Sequence, residues 1–251
     1  MCILFIYRNP NANINSYRLI LAANRDEFIQ RPALPAHFWK NHPTCIGGID
    51  MEPGKEGGTW LALSKKGKAG VILNLTNETV STDIPRKGRG TLITDYVTSD
   101  DSEESYLNKL HKKNQNGQPY NPYNLVLIDL KNANVHFLSS SMKSKGPCIC
   151  ENNILGFGNS SIEIPYQKVE AGKEKFKCII ENAKVSKQDD LIEDLLKFLK
   201  LEERYLPDPE LQRRSPKMYK NLSSIFVTAD EYGTRTHSVI LVNGNNEMIF
   251  V

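Results

Sequence analysis

The sequence predicts an α+β fold in which antiparallel sheets pack against helical layers. Three observations predict it. Short apolar runs broken by Asp, Gly and Lys turns extend from Met1 to Leu75. Apolar residues at helical spacing then dominate Gly88–His111 and Gln167–Leu201. From Ser223 onward the chain returns to strand-like runs.

The elements follow in order. Met1–Tyr7 and Arg18–Glu27 flank a polar turn at Asn9–Ser16, which reads as two strands joined by a hairpin-like loop. Phe28–Pro43 carries Pro32, Pro35 and Pro43 beside Phe38 and Trp39, and reads as an irregular loop lying over the sheet. Thr44–Asp50, Glu56–Leu63 and Ala69–Leu75 form a meander with a turn at Lys65–Lys68. Leu92, Ile93, Tyr96 and Val97 make Gly88–Thr98 helical, and Asp101-Ser102 caps a second helix over Glu103–His111. Lys112–Pro122 is a polar loop. Asn124–Leu130 and Asn134–Leu138 pair around Lys131-Asn132-Ala133. Ser139–Lys145 reads as a mobile loop, and Ile154–Asn159 as a strand ending at Gly158-Asn159.

Helices are expected at Gln167–Ala183 and Asp189–Leu201. The second has a stripe of Leu191, Ile192, Leu195, Leu196 and Leu199, with Ser186 and the Asp residues at its start and Lys200 at its end. Tyr205–Lys217 is a Pro-rich connection. Ser223–Thr228, Thr236–Val242 and Glu247–Val251 are three terminal strands, with turns at Tyr232-Gly233 and Asn243–Asn246, and the last two form a hairpin. No repeat, low-complexity tract or boundary divides the chain, so residues 1–251 read as a single domain.

Composition narrows the function. With 32 Lys+Arg against 29 Asp+Glu the net charge is +3, which excludes the basic excess of a nucleic-acid binder. Five cysteines, an odd number without framework spacing, indicate a reduced, cytoplasmic protein. No apolar run reaches the roughly 18 residues of a membrane span. The opening run is too short for a secretory signal, so the N-x-S/T triplets at Asn74, Asn77, Asn159 and Asn221 read as unglycosylated. His37, His42, His111, His136 and His237 lack metal-ligand spacing, and Cys148-Ile149-Cys150 is one residue short of C-x-x-C. No metal or required cofactor is expected.

One arrangement suggests chemistry. Pairing of the first two strands sets Cys2 near Arg25-Asp26 at one end of a sheet. If Met1 is removed, thiol and α-amine share one residue, and the amine can serve as base for its own side chain. Arg25 would favour the thiolate, and Asp26 would accept a hydrogen bond from the amine. With Met1 retained, Cys2 is equally a small apolar residue of a buried strand. Asn24-Arg25-Asp26-Glu27 is otherwise a surface turn with a weak ion pair. Gly57-Gly58-Thr59-Trp60 permits close backbone approach beside a large apolar face, as a tight entry into a strand. Asn74 and Asn159, at strand ends, could donate to an oxyanion or simply turn the chain. Arg235 could meet an anion or serve as an edge-strand charge.

Taken together, Met1-Cys2, Asn24-Arg25-Asp26-Glu27, Gly57-Gly58-Thr59-Trp60, Gly88-Arg89-Gly90 and Tyr232-Gly233-Thr234-Arg235-Thr236 resemble the NRDE-motif family over the whole chain, most closely its eukaryotic Transport and Golgi organisation branch. That resemblance implies links with Golgi organisation and secretion, lipid and acyl-coenzyme A metabolism and haem mobilisation, in cytosol, mitochondria or Golgi. The family is also similar to cysteine N-terminal nucleophile hydrolases such as penicillin V acylase, which implies a four-layer αββα sandwich. By position, Cys2 then matches their nucleophile, Arg25 and Asp26 their Arg and Asp, Asn74 an oxyanion donor, Asn159 a second stabiliser and Arg235 a late arginine. The hydrolases space their Arg and Asp apart, whereas here the two are adjacent.

Two function classes follow. In the first, Asn24, Arg25, Asp26, Glu27, Trp60, Arg89 and Arg235 line a site for a small-molecule cargo, with Arg25, Arg89 and Arg235 on phosphates or propionates and Trp60 or Phe38 on the apolar part. Acyl-coenzyme A, a lipid or haem would be that cargo. In the second, Cys2 attacks an amide or thioester while Asn74 and Asn159 hold the oxyanion.

Overall fold

The opening hairpin forms where the sequence expects it. In the computed structural model, which describes residues 2–76, 86–141 and 145–251, β1 (Ile3–Arg8) and β2 (Tyr17–Phe28) pair antiparallel from Ile3↔Asn24 to Arg8↔Leu19. They are the centre of a five-stranded antiparallel sheet. β10 (Ile154–Phe157) flanks β1, while β11 (Tyr232–Asn243) and then β12 (Met248–Phe250) flank β2. This sheet and the chain from Glu151 onward make one compact unit; Gln30–Cys150 makes another.

Period-2 alternation decides which face meets helices. Ile3, Phe5, Ile20, Ala22, Val239 and Leu241 pack with α3 (Gln167–Glu181) and α4 (Gln188–Leu199) into a core centred on Phe5, whose ring lies 5.8 Å from Phe176 and 5.0 Å from Phe198. Gly172 of α3 permits that approach, because a Cβ there would collide with the Phe5 ring. The alternate residues Leu4, Ile6, Leu19, Leu21, Ile240 and Val242 are buried too. Asp208 joins two helices: Oδ1 accepts from Leu211 N–H (2.8 Å) to cap α5 (Pro209–Arg214), and Oδ2 accepts from Gln167 N–H (2.8 Å) at the start of α3.

The second unit is a seven-stranded antiparallel meander in sequence order: β3 (Ala33–Trp39), β4 (His42–Asp50), β5 (Leu61–Ser64), β6 (Lys68–Asn74), β7 (Tyr123–Asp129), β8 (Asn134–Ser139) and β9 (Cys148–Cys150). α1 (Thr91–Thr98) and α2 (Glu103–Gln115) share a core with it through Leu92, Tyr96, Leu107, Leu125 and Leu127. Ser102 caps α2 as expected, its side chain accepting from Ser105 N–H at 3.2 Å.

Several expectations are corrected. Phe28–Pro43 is no loop: it ends β2 and holds β3 and the first residues of β4. Pro35 is tolerated because β3 is an edge strand whose ladder is irregular between Leu34 and His37. Glu56–Leu63 yields a strand only from Leu61. α2 runs on to Gln115, into the expected loop. β9 and α5 were not anticipated, the second because Asp208 starts a helix with Pro209 at its first turn. Ser186 does not cap α4; it lies in a short 3₁₀ turn, Val185–Lys187. Ser223–Thr228 is not a strand, making only one bridge, Thr228 with Gly233, and Tyr232-Gly233 opens β11 instead of turning. The loop expected at Ser139–Lys145 falls partly outside the described residues.

Candidate functional site

The ladders of the first unit set the predicted cluster in one row. Ile3 pairs with Asn24 and Leu4 with Phe157. Continuing those registers puts Cys2 level with Arg25, and Asn159, two residues past Phe157, level with Cys2. On the far side Arg25 pairs with Thr236. Opposed residues of antiparallel strands share a face, so Asn159, Cys2, Arg25 and Thr236 cross the end of the sheet together.

Cys2 is half-buried, and its thiol donates to the Asp26 carbonyl at 3.9 Å. Burial pushes the thiol pKa up, the charge of the chain's N-terminus opposes this, the Asp26 carboxylate adds to it, and the contact with the Asp26 backbone and the Arg25 guanidinium oppose it. At neutral pH the group is therefore a thiol. Arg25, only 6% exposed, lies 3.8 Å from the Glu27 carboxylate. Glu27 Oε1 accepts from Phe28 N–H at 3.0 Å.

Asp26 is a buried hub. Oδ1 accepts from the Thr234 hydroxyl at 2.6 Å, and its carbonyl accepts from the Tyr232 hydroxyl at 2.9 Å. Burial first, then the Cys2, Asp26 and Glu27 charges, raises the Tyr232 pKa, which keeps the phenol a neutral donor. Asn24 is a clamp. Nδ2 donates to Leu199 O (2.8 Å) and Ile225 O (3.0 Å), so Oδ1 must accept from His237 Nδ1 at 2.7 Å. Burial lowers the His237 pKa, aided by Lys200 and opposed by Asp26, and the ring stacks on Phe226 at 5.8 Å.

Arg235 sits where the β2–β11 register shifts between Thr234 and Thr236, a bulge that turns its side chain to solvent. Nη1 donates to Phe28 O at 3.0 Å. Phe28 is 56% exposed and meets Tyr232 edge-on at 5.3 Å; Ile29 beside it is exposed as well.

Of the remaining predicted residues, Asn74, Trp60 and Arg89 belong to the second unit. Asn74 Oδ1 accepts from Arg89 Nε at 2.6 Å, and the Trp60 indole lies across Gly48, where a Cβ would collide with it. Asn159 is buried in the first unit, and its carbonyl accepts from the Tyr166 hydroxyl at 3.3 Å.

Sequence reasoning missed Tyr232, Thr234 and His237 as members of this cluster, and also the buried Lys168, whose Nζ donates to Ser224 O at 2.9 Å. Lys168 did leave a signal. It shares a helix face with Gly172 and Phe176 at i+4 spacing, a lysine where an apolar residue belongs. Among the described residues no three His, Cys, Asp or Glu side chains gather as a metal site, and no helix is long and apolar enough to cross a membrane. None of the five cysteines is in a disulfide.

Two helix-backed antiparallel sheets give an α+β fold of N-terminal nucleophile hydrolase type. Penicillin V acylase from Agrobacterium tumefaciens is similar at a TM-score of 0.53, with 11% identity, over 100% of this chain and 86% of that one. The sequence model of the Transport and Golgi organisation 2 family matches residues 1–251. The Transport and Golgi organization protein 2 of Drosophila melanogaster is 38% identical over 259 residues, covering 100% of this chain and 91% of the relative. Its Homo sapiens homolog is 37% identical over 257 residues, with the same coverage. The chain belongs to the Transport and Golgi organisation 2 family, as its motifs led us to expect.

Proposed function

We propose that this chain acts, like relatives named for transport and Golgi organisation, in a Golgi-related role from the cytoplasm, with Golgi or mitochondrial association, by holding an anionic amphiphile on the first unit. One observation carries the reading. The bulge presents the Arg235 guanidinium, tethered to Phe28 O, directly beside the exposed Phe28 ring and Ile29. A fixed cation next to an apolar face suits a ligand with phosphate or carboxylate at one end and hydrocarbon at the other. Acyl-coenzyme A, a phospholipid and haem share that chemistry.

Calorimetric titration of wild type and Arg235→Ala with palmitoyl-coenzyme A, and separately with haem, tests it. We expect about tenfold weaker binding in the variant, roughly 1.4 kcal/mol. Equal affinities would remove the reading.

A second reading rests on the row of Asn159, Cys2 and Arg25. With Met1 removed, the α-amine would take the thiol proton, sulfur would attack an amide or thioester carbonyl, and Asn159 would face the oxyanion. The amine or thiol leaving group would carry the proton away, and water would release the acyl group. Intact mass together with acyl turnover in Cys2→Ala decides it: turnover that survives the substitution excludes Cys2 as nucleophile.

A further inference from the structure

We propose that Asn116 is a site of spontaneous covalent modification: the Asn116-Gly117 pair cyclises to a succinimide that opens to aspartate and isoaspartate, while the fold protects Asn243-Gly244, the chain's other Asn-Gly pair. The reaction needs a side-chain amide free to move, a following backbone nitrogen without a competing hydrogen bond, and room to turn the peptide between them. A glycine in the following position helps at both sites, since it puts no Cβ beside the attacking nitrogen. By sequence alone the two pairs are equivalent.

Their surroundings are opposite. Asn116 closes α2 and Gly117 follows at φ +126°, both exposed. Among the described residues the Asn116 side chain has no hydrogen-bond partner and nothing accepts from Gly117 N–H. A Cβ on Gly117 would meet nothing within 4 Å. Turning this peptide strains chiefly the 3.2 Å bond from Gln118 N–H to Asn114 O. Asn243 is locked. Its Oδ1 accepts from Asn245 N–H at 2.9 Å and from Glu247 N–H at 3.0 Å, and Nδ2, the leaving group, donates to Glu247 Oε2 at 2.6 Å. Gly244 N–H, the attacking group, donates to Ser16 O at 2.9 Å, and Gly244 O accepts from Arg18 Nη2 at 3.1 Å.

At Asn116 the Gly117 nitrogen attacks Cγ, the bond from Cγ to the side-chain nitrogen breaks, and ammonia leaves with the proton that the Gly117 nitrogen gives up. Water then opens the imide at either carbonyl. The net change turns an amide and a water into a carboxylic acid and ammonia. The product sets a carboxylate at the negative end of α2, where the helix dipole disfavours it. The isoaspartyl form also lengthens the backbone by a methylene between Asn114 and Gln118, whose side chains donate to the Tyr123 hydroxyl and to Ser140 O, each at 2.9 Å.

Trypsin separates the two pairs, into residues 114–131 and 236–251. The folded full chain is aged at mildly alkaline pH and digested, and the mass gain of amide-to-acid conversion is read in each peptide, with fragmentation assigning the residue. Labelling by an isoaspartyl methyltransferase and S-adenosylmethionine detects the isoaspartyl form. Asn116 should convert at least about tenfold faster than Asn243, a barrier difference of roughly 1.4 kcal/mol. In urea the two rates should converge. Equal rates in the folded chain, or faster conversion at Asn243, overturn the proposal. A ratio that persists in urea overturns it too, because the difference would then belong to neighbouring residues and not to the fold. Asn116→Gln should remove the gain from peptide 114–131, and a gain that stays there overturns the assignment to Asn116.

Discussion

The first and second units are built alike, as antiparallel sheets carrying two main helices, yet they place their polar motif residues in opposite ways. In the first, Asn24, Asp26 and Lys168 are buried and interlocked across β2, β11 and α3. In the second, the glycines of Gly57-Gly58-Thr59-Trp60 and Gly88-Arg89-Gly90 bring two backbones together. A Cβ on Gly58 would lie 3.1 Å from Gly90 Cα, Thr59 N–H donates to Gly90 O at 3.1 Å, and Thr94 Oγ1 donates to Gly57 O at 3.0 Å. Its charges lie largely outside: Lys66 with Asp100 and Lys109 with Asp101 are exposed pairs. Motifs of similar prominence in the sequence therefore do different work. Those of the first unit hold polar groups away from water, where charge interactions are strong; those of the second let chain segments touch.

The largest effect should come from the Asn24 clamp. Asn24→Leu removes the partner of two buried carbonyls, Leu199 O and Ile225 O, and the acceptor of His237. Each unsatisfied buried group costs about 1–3 kcal/mol, so a total loss of roughly 3–4 kcal/mol is expected. Urea unfolding measures the loss, and hydrogen exchange should quicken in α4 and the 221–226 segment. A cost below about 1 kcal/mol would mean that the amide is not structural and would erase the contrast between the units.

How much of this was legible in the sequence follows from the same contrast. The β1–β2 hairpin, the meander and the α4 stripe could be read because their patterns are local, as could the approach of Cys2 to Arg25 and Asp26, which needs only a hairpin. Lys168 and His237 could not be placed. Lys168 meets Ser224 O, and His237 reaches Asn24 from 213 positions further along the chain (237 − 24), through packing that no spacing rule encodes. β3 was hidden by Pro35, since a proline marks a loop unless the strand is known to be an edge. Arg235 was legible as a cation, but its outward turn depends on a bulge set by the β2–β11 register.

The smaller, complementary effect belongs to the second unit. Gly90 has φ −61°, a conformation open to any residue, so Gly90→Ala carries no backbone strain. By chain entropy alone the substitution would stabilise by about 0.4–1 kcal/mol. The close approach reverses that sign. The new Cβ would sit 3.0 Å from Gly58 Cα and 3.1 Å from Thr59 N, backbone atoms that cannot rotate away. We expect a net loss of about 1–2 kcal/mol in urea unfolding, with faster hydrogen exchange at Thr59 and through α1. A stabilised Gly90→Ala would show that the two loops have room to spare and that the motif glycines answer to something other than packing.

The smallest effect is a pH dependence, and it tests how dry the first unit's cluster is. Burial lowers the His237 pKa below its ordinary value near 6.5, helped by Lys200 and opposed by Asp26. The unfolded chain then binds the proton first. The stability contributed by neutral His237 is complete above about pH 6.5 and is lost as pH falls through the lower, folded value. Gln at position 237 retains a donor for Asn24 Oδ1 and does not titrate, so His237→Gln should lose less stability than wild type between pH 7 and pH 5. Chemical denaturation at each pH gives the difference between the two profiles. Parallel profiles would mean that water reaches the imidazole beneath Phe226, and the ring would then report on solvent in place of the buried network that Asn24 and Asp26 build.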